Sequence, residues 1–135
     1  MKKGICFILC CVLAMLLFSC AFDLVHVKQI PTQIESLPLS KASFLLEKEV
    51  NVSLGTGYSR KLKQGTKWHY VGTISYGDIY KTNDQILTVE ASNVYEAYIV
   101  VSSGNLVGFY LPVQQSFSPL SNPQKLKMRK INFNQ

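Results

Sequence analysis

The sequence predicts an all-β fold: a small antiparallel meander or SH3-like barrel of five to six strands, preceded by an apolar leader and a short tether. Three observations carry that expectation. Short runs between Val50 and about Val113 alternate apolar and polar residues with a period of two. Gly, Asn and Asp punctuate those runs at the intervals of hairpin turns. The 116 residues that follow residue 19 are enough for one small domain and too few for two.

The N-terminus has its own logic. Lys2 and Lys3 precede nineteen uncharged residues, Gly4 to Phe22, and Asp23 follows. A basic n-region before an apolar h-region is the layout of an export signal, to be set aside before any fold argument. The run closes on Leu17, Phe18, Ser19 and Cys20, which resembles the lipobox of bacterial lipoproteins. In that family a leucine, two mostly small residues and a cysteine mark the cut made by the lipoprotein signal peptidase.

The resemblance implies that residues 1–19 are removed. Cys20 then becomes the first residue, carrying a thioether-linked diacylglycerol and an N-acyl chain such as palmitate. No other cofactor is expected. Three acyl chains hold a protein on its membrane, whereas one gives only marginal binding. Ala21, rather than aspartate, follows the cysteine; in Gram-negative lipoproteins this implies the outer membrane, with the domain on its inner leaflet facing the periplasm. Two other readings stay open. Nineteen residues at about 1.5 Å each span roughly 28 Å, close to the ~30 Å of a bilayer core, so an uncleaved helix could serve as an anchor. Cleavage after Ala21, in a small-x-small setting with Ser19, would release a soluble chain.

Cysteine usage fits an exported chain without staples. Cys6, Cys10 and Cys11 lie in the apolar run, so cleavage before Cys20 leaves no other thiol and no disulfide framework or cysteine-bound metal.

Residues 20–48 read as a tether, because Pro31 and Pro38 interrupt regular structure. Within it Ser40 is placed to cap a short helix through "KASFLLEKE". The β domain is expected over residues 49–121. "EVNVSL" points Val50, Val52 and Leu54 one way, and "GTGY" ends that strand. "TKWHYVGTI" puts Trp68, Tyr70, Gly72 and Ile74 on one face, with Trp68 as core anchor, and "YGDIYKT" is its partner. "ILTVEA" turns Leu87, Val89 and Ala91 inward, and "YEAYIVVS" is apolar enough to be central. "SSGN" supplies the positive-φ residues of a tight hairpin into "LVGFYLPV", where Val107, Phe109 and Leu111 share a face. Pro112, Pro119 and Pro123 then end regular pairing.

Charge sets the last boundary. The chain has 14 basic and 8 acidic residues; without Lys2 and Lys3 the balance is 12 to 8. Lys125, Lys127, Arg129 and Lys130 account for all of that excess, so the body is neutral and residues 122–135 form a basic tail. Leu126 and Met128 alternate with the basic residues, as in a charged edge strand, although a solvated tail fits equally. Those four side chains are candidates for contact with anionic headgroups or another acidic surface. A neutral, exported body argues against nucleic acid as a partner.

Catalytic signals are weak, and no catalytic or metal-binding residue is expected. His26 and His69 are the only histidines and lack metal-ligand spacing. Asp78, Asp84, Glu90 and Glu96 lie on separate runs. "GTGYSRKLKQG" lacks the phosphate-loop spacing. The tyrosines of the β region suit core or rim packing; outward ones clustered with His69, Lys67 and Lys81 would instead form a face for a protein partner or cell-wall glycan. The expected function is that of a lipid-anchored accessory, binding or structural, of an envelope assembly. A second class comes from "SGNLVGFY", which resembles the serine-glycine loop before a tyrosine in small β-barrel lipoproteins that inhibit lysozyme.

Overall fold

The computed structural model describes residues 3–8, 11, 25–35 and 41–132. Residues 3–8 are helical, and no described helix is long and apolar enough to cross a membrane. The rest is β structure. The strands are β1 (Ile30–Pro31), β2 (Ser43–Leu46), β3 (Val50–Ser53), β4 (Ser59–Leu62), β5 (Lys67–Ile74) and β6 (Gly77–Lys81). They continue as β7 (Thr88–Glu90), β8 (Val94–Glu96), β9 (Tyr98–Ser102), β10 (Asn105–Leu111), β11 (Ser116–Lys125) and β12 (Met128–Ile131).

Eight of them form one antiparallel sheet in the order β1-β11-β10-β9-β6-β5-β2-β12, while β3–β4 and β7–β8 are separate hairpins. The all-β class holds, with twelve strands among the described residues in place of five or six. The sheet is open, with β1 and β12 at its edges, and does not close into an SH3-like barrel. It is nevertheless strongly curled. β11 lies next to one edge and β12 forms the other, yet only Leu126 and Lys127 separate them. Three Cα steps cover at most about 11 Å, so the two ends of the sheet approach each other.

The curl creates an inner face. Leu46, Val52, Leu62, Trp68, Ile99, Leu106, Phe109 and Leu111 are almost fully buried there, closed off by residues of the two hairpins. Ile74, Ile79, Val100, Tyr110 and Phe117 form a smaller cluster on the other face, covered by Ile30 and Ile34. β9 runs between β6 and β10 and contributes Ile99 to one cluster and Val100 to the other. Burial on both faces explains why "YIVV" has no polar alternation. Trp68, 1% exposed, is the expected anchor.

Two β-bulges break the expected alternation. β5 shifts register between Tyr70 and Gly72, so Tyr70 packs on the inner cluster while Val71 and Ile74 join the outer one. β10 shifts between Leu106 and Gly108, which places Val107 outward and leaves Phe109 and Leu111 inward. One extra residue reverses every later side chain. Pro119 and Pro123 sit within β11, around an irregularity opposite the β10 bulge, where a missing N–H does no harm. The β9–β10 hairpin is as expected: Ser103 and Gly104, with φ of 50° and 77°, form its two-residue loop.

The region expected as tether is largely part of the fold. The helix anticipated through "KASFLLEKE" is replaced by strand β2, whose Phe44 and Leu46 are buried between β5 and β12. Period-two burial and pairing on both sides outweigh a weak helix propensity. Its proposed cap, Ser40, lies outside the described residues. Residues 25–35 run over the domain as a strap: Val27 enters the inner core, β1 pairs with β11, and Glu35 bridges to Thr73. The folded unit therefore starts upstream of residue 49. It also extends past residue 121, because the basic segment forms the end of β11 and the edge strand β12.

Candidate anion-binding groove

The β11–β12 link faces the residues that lead into β3. Lys48, Glu49, Val50 and Asn51 form one wall and Gln124 to Met128 the other, around a groove of about 710 Å³. That volume lies within the roughly 300–1,000 Å³ of small-molecule sites. Its base is apolar, since Leu126 is 5% exposed and Val50 and Met128 pack on the inner core. Its rim carries Lys48, Lys125 and Lys127.

Local pairing leaves the rim positive. Glu49, the only acid among the described lining residues, pairs with Lys61 at 3.4 Å, and Glu47 pairs with Arg129 at 3.5 Å. Both pairs are solvent-exposed and of small energetic value. No ion pair among the described residues engages Lys48, Lys125, Lys127 or Lys130. Of the four basic residues singled out in the sequence, Lys125 and Lys127 line the groove, Arg129 is held by Glu47, and Lys130 stands exposed on β12 outside the lining. Lys48 was missed because "LEKE" was assigned to a helix; its signal was a lysine immediately before an alternating strand. Cys20 lies outside the described residues.

A separate polar cluster links the approach to β2 with β5 and β6. Lys41 Nζ donates to Asp78 at 2.6 Å, Thr73 Oγ1 donates to Asp78 at 2.8 Å, and the Tyr70 hydroxyl is 2.6 Å from Thr73 Oγ1. The Thr73 proton is committed to Asp78, so Tyr70 is the donor. The hydrogen bond from Lys41 to Asp78 is the main cause that raises the Lys41 pKa above its ordinary value. The cluster ties the approach to β2 onto the β5–β6 hairpin.

Tyr70, Tyr80 and Tyr110 pack in the core or at its rim, the first of the two expectations for the tyrosines, and form no face with His69. Tyr70 and Tyr80 turn inward and meet edge to face at 5.8 Å, Tyr80 packs on Phe44 at 4.9 Å, and Tyr110 is 3% exposed. His69 instead pairs across strands with Lys81, and its Nδ1 lies 3.2 Å from Ser43 Oγ. Ser43 is 3% exposed, which removes the access a nucleophile requires.

The carboxylates serve separate structural contacts. Asp84 accepts from Lys67 N at 2.7 Å, and Glu90 pairs with Arg60, which also bonds Thr88 O. Glu96 lies beside Tyr98 in a pocket of about 250 Å³ that is also lined by Trp68 and Ile86. Burial first, then Glu96, raises the Tyr98 pKa. Among the described residues no group of three His, Cys, Asp or Glu could hold a metal. Comparison with family models, curated proteins and solved structures yields no match to this chain.

Proposed function

We propose that this protein is a lipid-anchored lipoprotein of the bacterial cell envelope, whose small β domain is a non-catalytic binding or structural accessory of an envelope assembly. The observation that carries the reading is the chain's opening: Lys2 and Lys3, nineteen uncharged residues, and a lipobox-like Leu17-Phe18-Ser19-Cys20. Ala21 favours delivery to the outer membrane, with the domain facing the periplasm. Diacylglycerol and an N-acyl chain on Cys20 supply the anchor.

The basic groove gives the domain its binding chemistry. Three lysines around an apolar base suit an acidic partner with an apolar part, such as an acidic segment of an envelope protein or an anionic glycolipid. Long-range attraction from such a rim raises encounter rates and weakens with salt.

The deciding experiment is the intact mass and N-terminal peptide of the protein isolated from its native membrane, beside a Cys20→Ala variant. A lipid-modified peptide starting at Cys20, lost in the variant, is the expected result. A mature chain starting at Phe22, or one retaining Met1, would overturn the reading.

A further inference from the structure

The described chain after the leader begins at Val25, and Val25 is fastened to one place. Its N–H donates to Ser92 Oγ at 2.9 Å, and its carbonyl accepts from Ser92 N at 3.0 Å. Ser92 is at the tip of the β7–β8 hairpin, between Glu90 and Val94, which pair across it. Five peptide steps connect Cys20 to Val25, and fully extended they reach at most about 18 Å. A lipid on Cys20 therefore keeps this hairpin tip within about that distance of the bilayer.

The tip suits such a position. Val94 is 66% exposed and Val25 41% exposed, two large apolar side chains beside one another's attachment point. Ala91, Ser92 and Asn93 between the strands carry no charge, and Glu90 at the base is held by Arg60. Desolvation at a headgroup boundary is unfavourable for charges and favourable for apolar surface.

We infer that the β7–β8 tip, through Val25 and Val94, rests in the headgroup region of the leaflet that holds the Cys20 lipid, fixing the orientation of the domain on its membrane. The inference rests on the lipid anchor proposed above. A second contact also removes the freedom of a domain on a single flexible attachment.

The cysteine inventory makes the test direct. After processing, the sole cysteine would be Cys20, whose sulfur is already a thioether, so Val94→Cys introduces the one free thiol for an environment-sensitive fluorophore. The control is Val113→Cys, 76% exposed on the β10–β11 turn, at the end of the strap where Thr32 N bonds Gln115 O. Both variants are purified as the full lipidated protein and placed in phosphatidylethanolamine–phosphatidylglycerol vesicles, with the lipid verified by intact mass. The expected result is a blue-shifted emission at residue 94 that headgroup nitroxides quench, and an unshifted, unquenched emission at residue 113. With the lipid verified, equal solvent-like emission at both sites overturns the orientation and leaves the anchor standing. A mass without lipid overturns the anchor and the orientation together.

Discussion

Ile34 lies over Gly72 so closely that a Cβ on Gly72 would overlap Ile34 Cγ2. Gly72 borders the β5 bulge, and one residue further Thr73 accepts a hydrogen bond from Glu35 N at 2.8 Å. The strap over the outer cluster is thus fitted to the absence of a side chain, which makes it part of the fold.

The first prediction tests that fit. Gly72→Ala should destabilise the protein by roughly 1–3 kcal/mol through overpacking. Combining it with Ile34→Ala should recover much of the loss, because the second substitution removes the clashing methyl. A double-mutant cycle from urea unfolding reads the coupling, and strictly additive effects would show that the two residues do not meet.

Truncation is the second. A chain starting at residue 25 should unfold cooperatively. One starting at residue 49 lacks β1, the strap and β2, leaving β5 and β12 without the strand that joins them. It should show no cooperative thermal transition by circular dichroism, and a sharp transition near that of the longer chain would contradict this topology.

How much of this was legible beforehand depends on what each signal requires. The β class, the Trp68 anchor, the central strand and the Ser103–Gly104 turn rest on local chemistry, and the sequence displays that directly. Trp68 and Tyr70 on β5 and Phe109 and Leu111 on β10 face as expected, but Ile74 and Val107 were misassigned because a bulge adds one residue without changing composition. β2 was read as a helix because its strand character comes from Trp68 and Arg129 neighbours distant in sequence. In the groove, Lys125 and Lys127 were visible as charge, whereas Lys48 joins them only through the curl of the sheet.

Third, the groove lysines should act together and Arg129 should not. In the unlipidated chain from residue 21, replacing Lys48, Lys125 and Lys127 by glutamate should sharply reduce co-sedimentation with anionic vesicles, and Arg129→Ala should change it little. Binding of the unaltered chain should fall steeply between low and physiological salt. Equal losses in the two variants would mean general charge, rather than the groove, governs attraction.

Fourth, Trp68 combines a large buried ring with an indole Nε1 that has no hydrogen-bond partner. Trp68→Phe removes that orphan donor while retaining the stack on Phe44, whose ring lies 6.4 Å away. It should therefore cost clearly less than Trp68→Ala, for which about 3–5 kcal/mol is expected. Equal destabilisation in urea titrations would show that Nε1 is satisfied.

Last, stability should decline on the alkaline side for an identifiable reason. Burial is the largest cause holding the Tyr80, Tyr98 and Tyr110 phenols above their ordinary 10.0. A raised folded-state pKa means that the native protein binds that proton more tightly than the unfolded chain does. The associated stability is fully present below about pH 10 and is lost as pH rises through the raised values. Lys41, raised chiefly by its hydrogen bond to Asp78, works in the same direction from its ordinary 10.5. Tyr80 is the most instructive of the four, since its ring packs between Phe44 and Tyr70 and phenylalanine preserves that packing. Tyr80→Phe should leave the urea midpoint near its neutral-pH position relative to wild type, yet flatten the fall above pH 10. Parallel declines in the two proteins would show that Tyr80 ionisation is not coupled to folding.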